Sequence, residues 1–179
     1  HYLKTKSQFY IRRNQSKKAI QIYKDVLKLS LEDTEANLAI LSKGDAEEKP
    51  NAYLMALMPI ISNPSINIDA KVKELLPYLE NMTKGNNIEL INSMKELADK
   101  LVLAHPDDAK AHSLYGDVLY LSGDVDNAII KYEKTIQLNS KVYTVWEQLM
   151  YAYLDNADYT ALLKRSIRAL DIYPNQATS

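Results

Sequence analysis

The sequence contains no cysteine, which excludes disulfides, thiol catalysis and thiolate metal ligation. It assigns no redox compartment, because a cysteine-free chain suits either. Glycine is scarce, at 4 of 179 residues, so glycine-rich phosphate loops have little to be built from. Phenylalanine and tryptophan occur once each against 13 tyrosines. Rings that pack while their hydroxyls stay wet suit thin layers in which few side chains are fully enclosed. No apolar run approaches the roughly 20 residues of a membrane-spanning helix. The HExxH, GxGxxG, GxSxG and P-loop patterns are missing, so no constellation supports an enzyme and no cofactor is expected.

The three histidines support no metal site. His1 is terminal, His105 stands at a helix exit where a cation meets the last carbonyls, and His112 occupies a packing position. The run Asp124-Val125-Asp126-Asn127 has the acidic start of a calcium loop. Ile129 and Thr135 stand where that loop needs glycine and glutamate, so it reads as a turn. Acidic pairs such as Asp107-Asp108 suit helix starts better than acid–base work.

The net charge is −1 but uneven. Lys4, Lys6, Arg12, Arg13, Lys17, Lys18, Lys24 and Lys28 face Asp25 alone in the first segment, and Glu32, Asp33, Glu35, Asp45, Glu47 and Glu48 follow. The plain reading is a basic hairpin beside an acidic one. The sharper reading is an anion-binding corner at Arg12, Arg13, Lys17 and Lys18.

Apolar residues recur with helical period nearly everywhere. Val125, Ala128, Ile129, Tyr132 and Ile136 share one helix face, and Ala19, Ile20, Tyr23, Val26 and Leu27 share another. No stretch alternates as a strand does. Gly123-Asp124, Asn156-Ala157-Asp158 and Lys84-Gly85-Asn86-Asn87 read as turns, with Asp124 and Asp158 at N-cap positions. Pro64, Pro106 and Pro174 each close an apolar helical run. The pattern predicts about ten helices and no strands, at residues 2–12, 16–30, 34–43, 51–62, 69–83, 88–104, 108–121, 125–138, 142–155 and 159–172.

Pro106 and Pro174 are separated by two periods of 34 residues. Setting 109–142 over 143–176 places His112 over Trp146, Tyr115 over Leu149, Leu119 over Tyr153 and Ile136 over Leu170. Each copy reads as helix, tight turn, helix and polar exit. The first copy, with Tyr115, Gly116, Leu119, Ala128 and Tyr132, resembles the tetratricopeptide repeat, as does the second, with Trp146, Leu149, Tyr153, Ala169 and Pro174. The second departs from the pattern at Met150, Leu162 and Ser166. Leu3, Tyr10, Ala19 and Tyr23 carry a weaker match in 1–33, and Ala52, Ala56 and Pro64 a poor one in 34–66. The wider spacing to Pro106 makes 67–108 an enlarged unit. The chain opens inside a first repeat, which fits a segment of a larger repeat protein. Abundant Asn, Lys, Ile and Tyr suggest a bacterial source.

The resemblance implies one all-α domain over 1–179, a right-handed α-solenoid superhelix of about five antiparallel helix pairs. It implies a protein-interaction scaffold that binds a protein or peptide on its concave face. By that resemblance the face carries Lys110, Ser113, Asp117, Tyr120 and Leu121, then Thr144, Glu147, Tyr151, Leu154 and Asp155. The alternative for some of these is packing between repeats. The Lys and Asn with which some family members clamp a peptide carboxylate are replaced by Ser113 and Asp117, then Glu147 and Tyr151, so a basic or neutral ligand is expected. Nucleic acid is the less favoured partner. Ends of such an array expose stacking faces open to self-association. A soluble chain is expected, with cytoplasm and cell envelope both open.

Overall fold

The computed structural model describes residues 2–13, 15–29, 33, 36, 39, 50–85 and 87–176. The described residues form helices joined by turns, with no strand among them. The helices are α1 (Tyr2–Arg12), α2 (Ser16–Leu29), α3 (Pro50–Ile61), α4 (Ile68–Met82), α5 (Ile88–Ala104), α6 (Ala109–Leu121), α7 (Val125–Leu138), α8 (Tyr143–Asp155) and α9 (Tyr159–Ile172). A 3₁₀ turn at Pro174–Gln176 follows. Each agrees with a predicted helix to within one residue at either end. The helix expected over 34–43 and most of the acidic stretch lie outside the described residues.

The chain divides into two compact units, residues 1–67 and 68–179. In the first, α1 and α2 pack together around Tyr23, Val26 and Ala36, with Leu3, Ile11 and Ile20 against them, and Ala19 is buried as well. Lys4 reaches Asp33 at 2.6 Å, and the Asp33 carboxylate also accepts from the Ala36 N–H at 3.0 Å. The basic hairpin is thus tied locally to the start of the acidic segment.

In the second unit each helix packs on the next in sequence from α4 to α9, and α4 also packs on α6. The pair α4–α5 is long, at 15 and 17 residues, against 13 and 14 in each of the next two pairs. The core of the later pairs holds Leu119, Ala128, Tyr132, Ile136, Val145, Trp146, Leu149, Ala152, Tyr153 and Ala169. All are positions that the apolar period places on one helix face or the other.

The 34-residue period extends to single hydrogen bonds. His112 Nε2 donates to the Pro106 carbonyl at 2.8 Å, and Trp146 Nε1, one period on, donates to the Ser140 carbonyl at 2.9 Å. Both rings are buried, and each ties the start of its helix to the segment before it. At the turns, the Asp124 N–H donates to the Leu119 carbonyl and the Asp158 N–H to that of Tyr153, at 2.9 and 3.0 Å. Gly123 (φ 80°) and Ala157 (φ 55°) hold the same left-handed conformation. Glycine adopts it freely, whereas alanine is strained there.

Two local expectations need correction. Asp158 caps α9 by accepting from the Ala161 N–H at 3.0 Å, but the Asp124 carboxylate makes no cap bond to α7. It accepts from the Asn127 side chain at 2.9 Å and lies 3.6 Å from Lys95, which compete for it. His105 does not place a cation on helix carbonyls. Its Nε2 lies 2.8 Å from Lys71 Nζ and accepts from that ammonium, so at that nitrogen it is an acceptor. Lys71 is buried, and burial lowers its pKa to about 8.

Close approach of α6 and α7 rests on Gly116. A Cβ there would stand 2.6 Å from the Tyr132 ring, so the aromatic ring fills the space that a side chain would take. One period on, Met150 replaces Gly116 and Ser166 replaces Tyr132. The large and small members have exchanged places, and Ser166 Oγ lies against Met150 Sδ at 3.3 Å. The departures at Met150 and Ser166 therefore compensate one another across the helix pair.

The candidate binding face

Helix α6 begins at Asp108, whose carboxylate accepts from the Lys110 N–H at 2.9 Å. From that start Ser113, Asp117, Tyr120 and Leu121 follow at helical spacing on one side of the helix. They line an open cleft of about 290 Å³ together with Leu79 of α4, Tyr132 of α7 and Thr144, Val145 and Gln148 of α8. The first helices of three successive pairs thus contribute to one concavity.

Asp117 is the only formally charged residue among the nine that line it. The Tyr132 hydroxyl donates to Asp117 Oδ1 at 2.8 Å. Burial raises the Asp117 carboxyl to about 6, and the Tyr132 hydrogen bond opposes that rise. Burial and the neighbouring Asp117 in turn hold the Tyr132 phenol firmly protonated. At the rim, the Tyr120 hydroxyl donates to Asp155 Oδ2 at 2.5 Å. That bond, followed by burial, raises the Tyr120 phenol to about 12.

Of the ten residues expected on the concave face, Ser113, Asp117, Tyr120, Leu121 and Thr144 line the cleft, and Asp155 joins its rim through Tyr120. Lys110 is exposed and pairs with Asp69 of α4. Glu147 is partly buried and hydrogen-bonds Tyr143. Tyr151 and Leu154 are 56% and 48% exposed and lie outside the lining. Packing accounts for part of Tyr120, which rests against the core of α6–α9. Sequence reasoning missed Leu79, Tyr132, Val145 and Gln148. Leu79 sits in the enlarged unit, where the 34-residue register gives no guide. Tyr132 belongs in the sequence pattern to the apolar face of a second helix, and Val145 and Gln148 neighbour Thr144 and Glu147 by one residue.

Behind the face, Glu133, Tyr153 and Arg165 join α7, α8 and α9. Arg165 grips Glu133 through two bonds of 2.6 Å, and the Tyr153 hydroxyl donates to Glu133 at 2.8 Å. A bidentate pair with a third donor fixes the spacing of three helices. In the first unit, Arg12, Arg13, Lys17 and Lys18 are all exposed around the turn from α1 to α2. The Arg13 guanidinium stands 4.5 Å over the Phe9 ring and Lys18 Nζ 5.7 Å from the Tyr10 ring.

No family model and no curated protein matches the chain. Solved structures do match over nearly all of it. The chain is similar to a thermophilic TPR protein of Thermus thermophilus, at 16% identity and a TM-score of 0.51, covering 98% of this chain and 92% of that one. The fold is that of the tetratricopeptide repeat. A MamA segment from Desulfovibrio magneticus RS-1 matches this repeat fold at 17% identity and a TM-score of 0.53, covering 99% and 96%. A crystal structure of MamA protein matches at 19% identity and 0.57, covering 96% and 90%. The all-α repeat fold that the resemblance implies is therefore the fold observed. Among the described residues no helix is long and apolar enough to cross a membrane, and no group of three acidic or histidine side chains is placed to hold a metal ion.

Proposed function

We propose that the chain is a non-enzymatic scaffold that holds an extended segment of a protein partner against α6 and α8. The observation that carries this reading is the cleft itself. Its lining comes from the first helices of three successive pairs and from Tyr132 of α7, and it gathers five residues that the repeat register assigns to the ligand face. Apolar walls with a few placed polar groups are the usual make-up of a recognition site. Exposed Tyr151 and Leu154 extend the face beyond the cleft and offer a further apolar grip. Asp117 has no second acid and no histidine beside it among the lining residues, so we read it as a recognition group.

Selection of random phage-displayed peptides against the chain tests this reading. We expect enriched peptides that lose binding when Thr144→Trp fills the cleft mouth, because Thr144 is exposed and its replacement leaves the core intact. Failure to enrich any peptide, or equal binding by the Thr144→Trp chain, would overturn it.

A second reading is supported by the joint exposure of Arg12, Arg13, Lys17 and Lys18. They would bind nucleic acid or another anionic surface through the α1–α2 turn. Binding to a DNA duplex should then fall steeply as salt rises. No binding at low salt removes this reading.

A further inference from the structure

The nine residues lining the cleft include one formal anion and no cation. Three apolar side chains, Leu79, Leu121 and Val145, and two tyrosine rings surround Asp117. Tyr132 satisfies one carboxylate oxygen, and the Tyr120 hydroxyl is already committed to Asp155. A carboxylate enclosed by apolar walls with a single hydroxyl donor and no cation is an incomplete arrangement, since burial penalises the charge and nothing opposite in sign offsets it. A long cationic side chain would complete it. Its aliphatic stem would lie on the leucines and rings while its head met the free Asp117 oxygen. At about 290 Å³ the cleft falls at the lower edge of small-molecule sites, a scale suited to one inserted side chain.

We infer that the cleft selects a peptide segment by inserting one lysine or arginine side chain onto Asp117. This rests on the peptide-holding reading above and adds the chemistry of its anchor. Asp155 at the rim adds a second negative group on the approach. Gln148 and Ser113 supply neutral polar atoms that orient the head without competing for the charge. The raised Asp117 carboxyl is consistent with a group lacking its counter-ion in the free protein.

The test uses short degenerate peptides that carry lysine or norleucine at the central position, measured by fluorescence anisotropy at neutral pH. Norleucine keeps the aliphatic stem and removes the ammonium. We expect the lysine pool to bind the natural chain about tenfold more tightly than the norleucine pool, the scale of one charge-assisted hydrogen bond. Asp117→Asn should bring the two pools to within about twofold, because the amide keeps the Tyr132 contact and loses the charge. Gln148→Lys places a tethered ammonium in the same cleft and should weaken the lysine pool selectively. Free N-acetyl-lysine amide should compete only weakly, since it lacks the backbone that the rest of the face grips.

If both pools bind the natural chain alike and Thr144→Trp weakens both, the cationic anchor is refuted while the peptide face stands. If neither pool binds, both fall. Undiminished lysine preference in Asp117→Asn would also refute the anchor. Competition by the free amino acid derivative as strong as by the peptide would refute a peptide ligand.

Discussion

Asp117 gives the sharpest quantitative consequence of this structure. Its carboxyl is raised from an ordinary value of 3.8 to about 6, by burial first and against the pull of the Tyr132 hydroxyl. The folded chain therefore binds this proton more tightly than the unfolded chain does. Stability must fall as pH rises from about 4 to about 6 on account of this group, and the loss is complete above the folded value. A difference of about 2 units corresponds to roughly 3 kcal/mol at neutral pH, which is an upper figure for a group only partly enclosed. Asparagine mimics the uncharged acid and still accepts from Tyr132. Asp117→Asn should thus stabilise the chain by about 1–3 kcal/mol near neutral pH, or about 2–4 °C in Tm for each kcal/mol at this length. Near pH 4 the two chains should unfold almost together. Urea unfolding followed by circular dichroism at both pH values measures the difference directly. If Asp117→Asn proves destabilising at neutral pH, or if its effect does not change with pH, the carboxylate is not strained by its surroundings. The reason to read it as a functional group retained at the expense of stability then disappears.

Gly116→Ala should destabilise the second unit by about 1–3 kcal/mol, because its Cβ would press on the Tyr132 ring at 2.6 Å. An unchanged denaturation midpoint would show that the α6–α7 contact is looser than described. Ala157→Gly should stabilise by about 0.5–1 kcal/mol by relieving a φ of 55° at a site where the preceding turn uses glycine, and a fall in Tm would refute that strain. Tyr159, Leu163, Ile167 and Leu170 form an exposed row along α9. Three of them align, one period back, with Val125, Ile129 and Ile136, which pack into the core of α6–α9. We expect a second copy of the chain to stack on this row, giving a concentration-dependent mass in sedimentation that Leu163→Lys with Ile167→Lys abolishes. A monomer at every concentration would refute it.

The helices were legible because they depend on local signals. Period, turn residues and prolines placed each described helix to within one residue, including the long α4 and α5. The former holds a feature that a simple period would have split, Pro77 in its interior. Of the residues that the repeat register places on the first helices of the last two pairs, Ser113, Asp117, Tyr120, Leu121 and Thr144 line one cleft. What the register could not provide was the partnership between elements. Tyr132 lies on a second helix and reaches the cleft only because Gly116 lets its ring through. Leu79 enters from a unit whose enlargement breaks the spacing. The register marks Asp117 only as one of ten face residues, and burial and the absence of a cation in the lining set it apart.

The exchange between neighbouring repeats shows why departures from a family pattern are weak evidence when taken singly. Met150 in place of glycine should overpack its helix pair, and Ser166 in place of an aromatic should leave a hole. Each alone predicts a defective second repeat. Together they preserve volume, because one residue grows where its partner across the pair shrinks, and a hydroxyl–thioether contact of 3.3 Å records the fit. The same exchange has a functional consequence. In the first pair the large residue is a tyrosine whose hydroxyl reaches Asp117 at the cleft. In the second pair the residue one period beyond Asp117 is Tyr151, which is exposed, and the one beyond Tyr132 is a serine that donates within its own helix. Of these two repeats the carboxylate–phenol pair therefore belongs to the first alone, and a binding preference built on it has a fixed position in this pair.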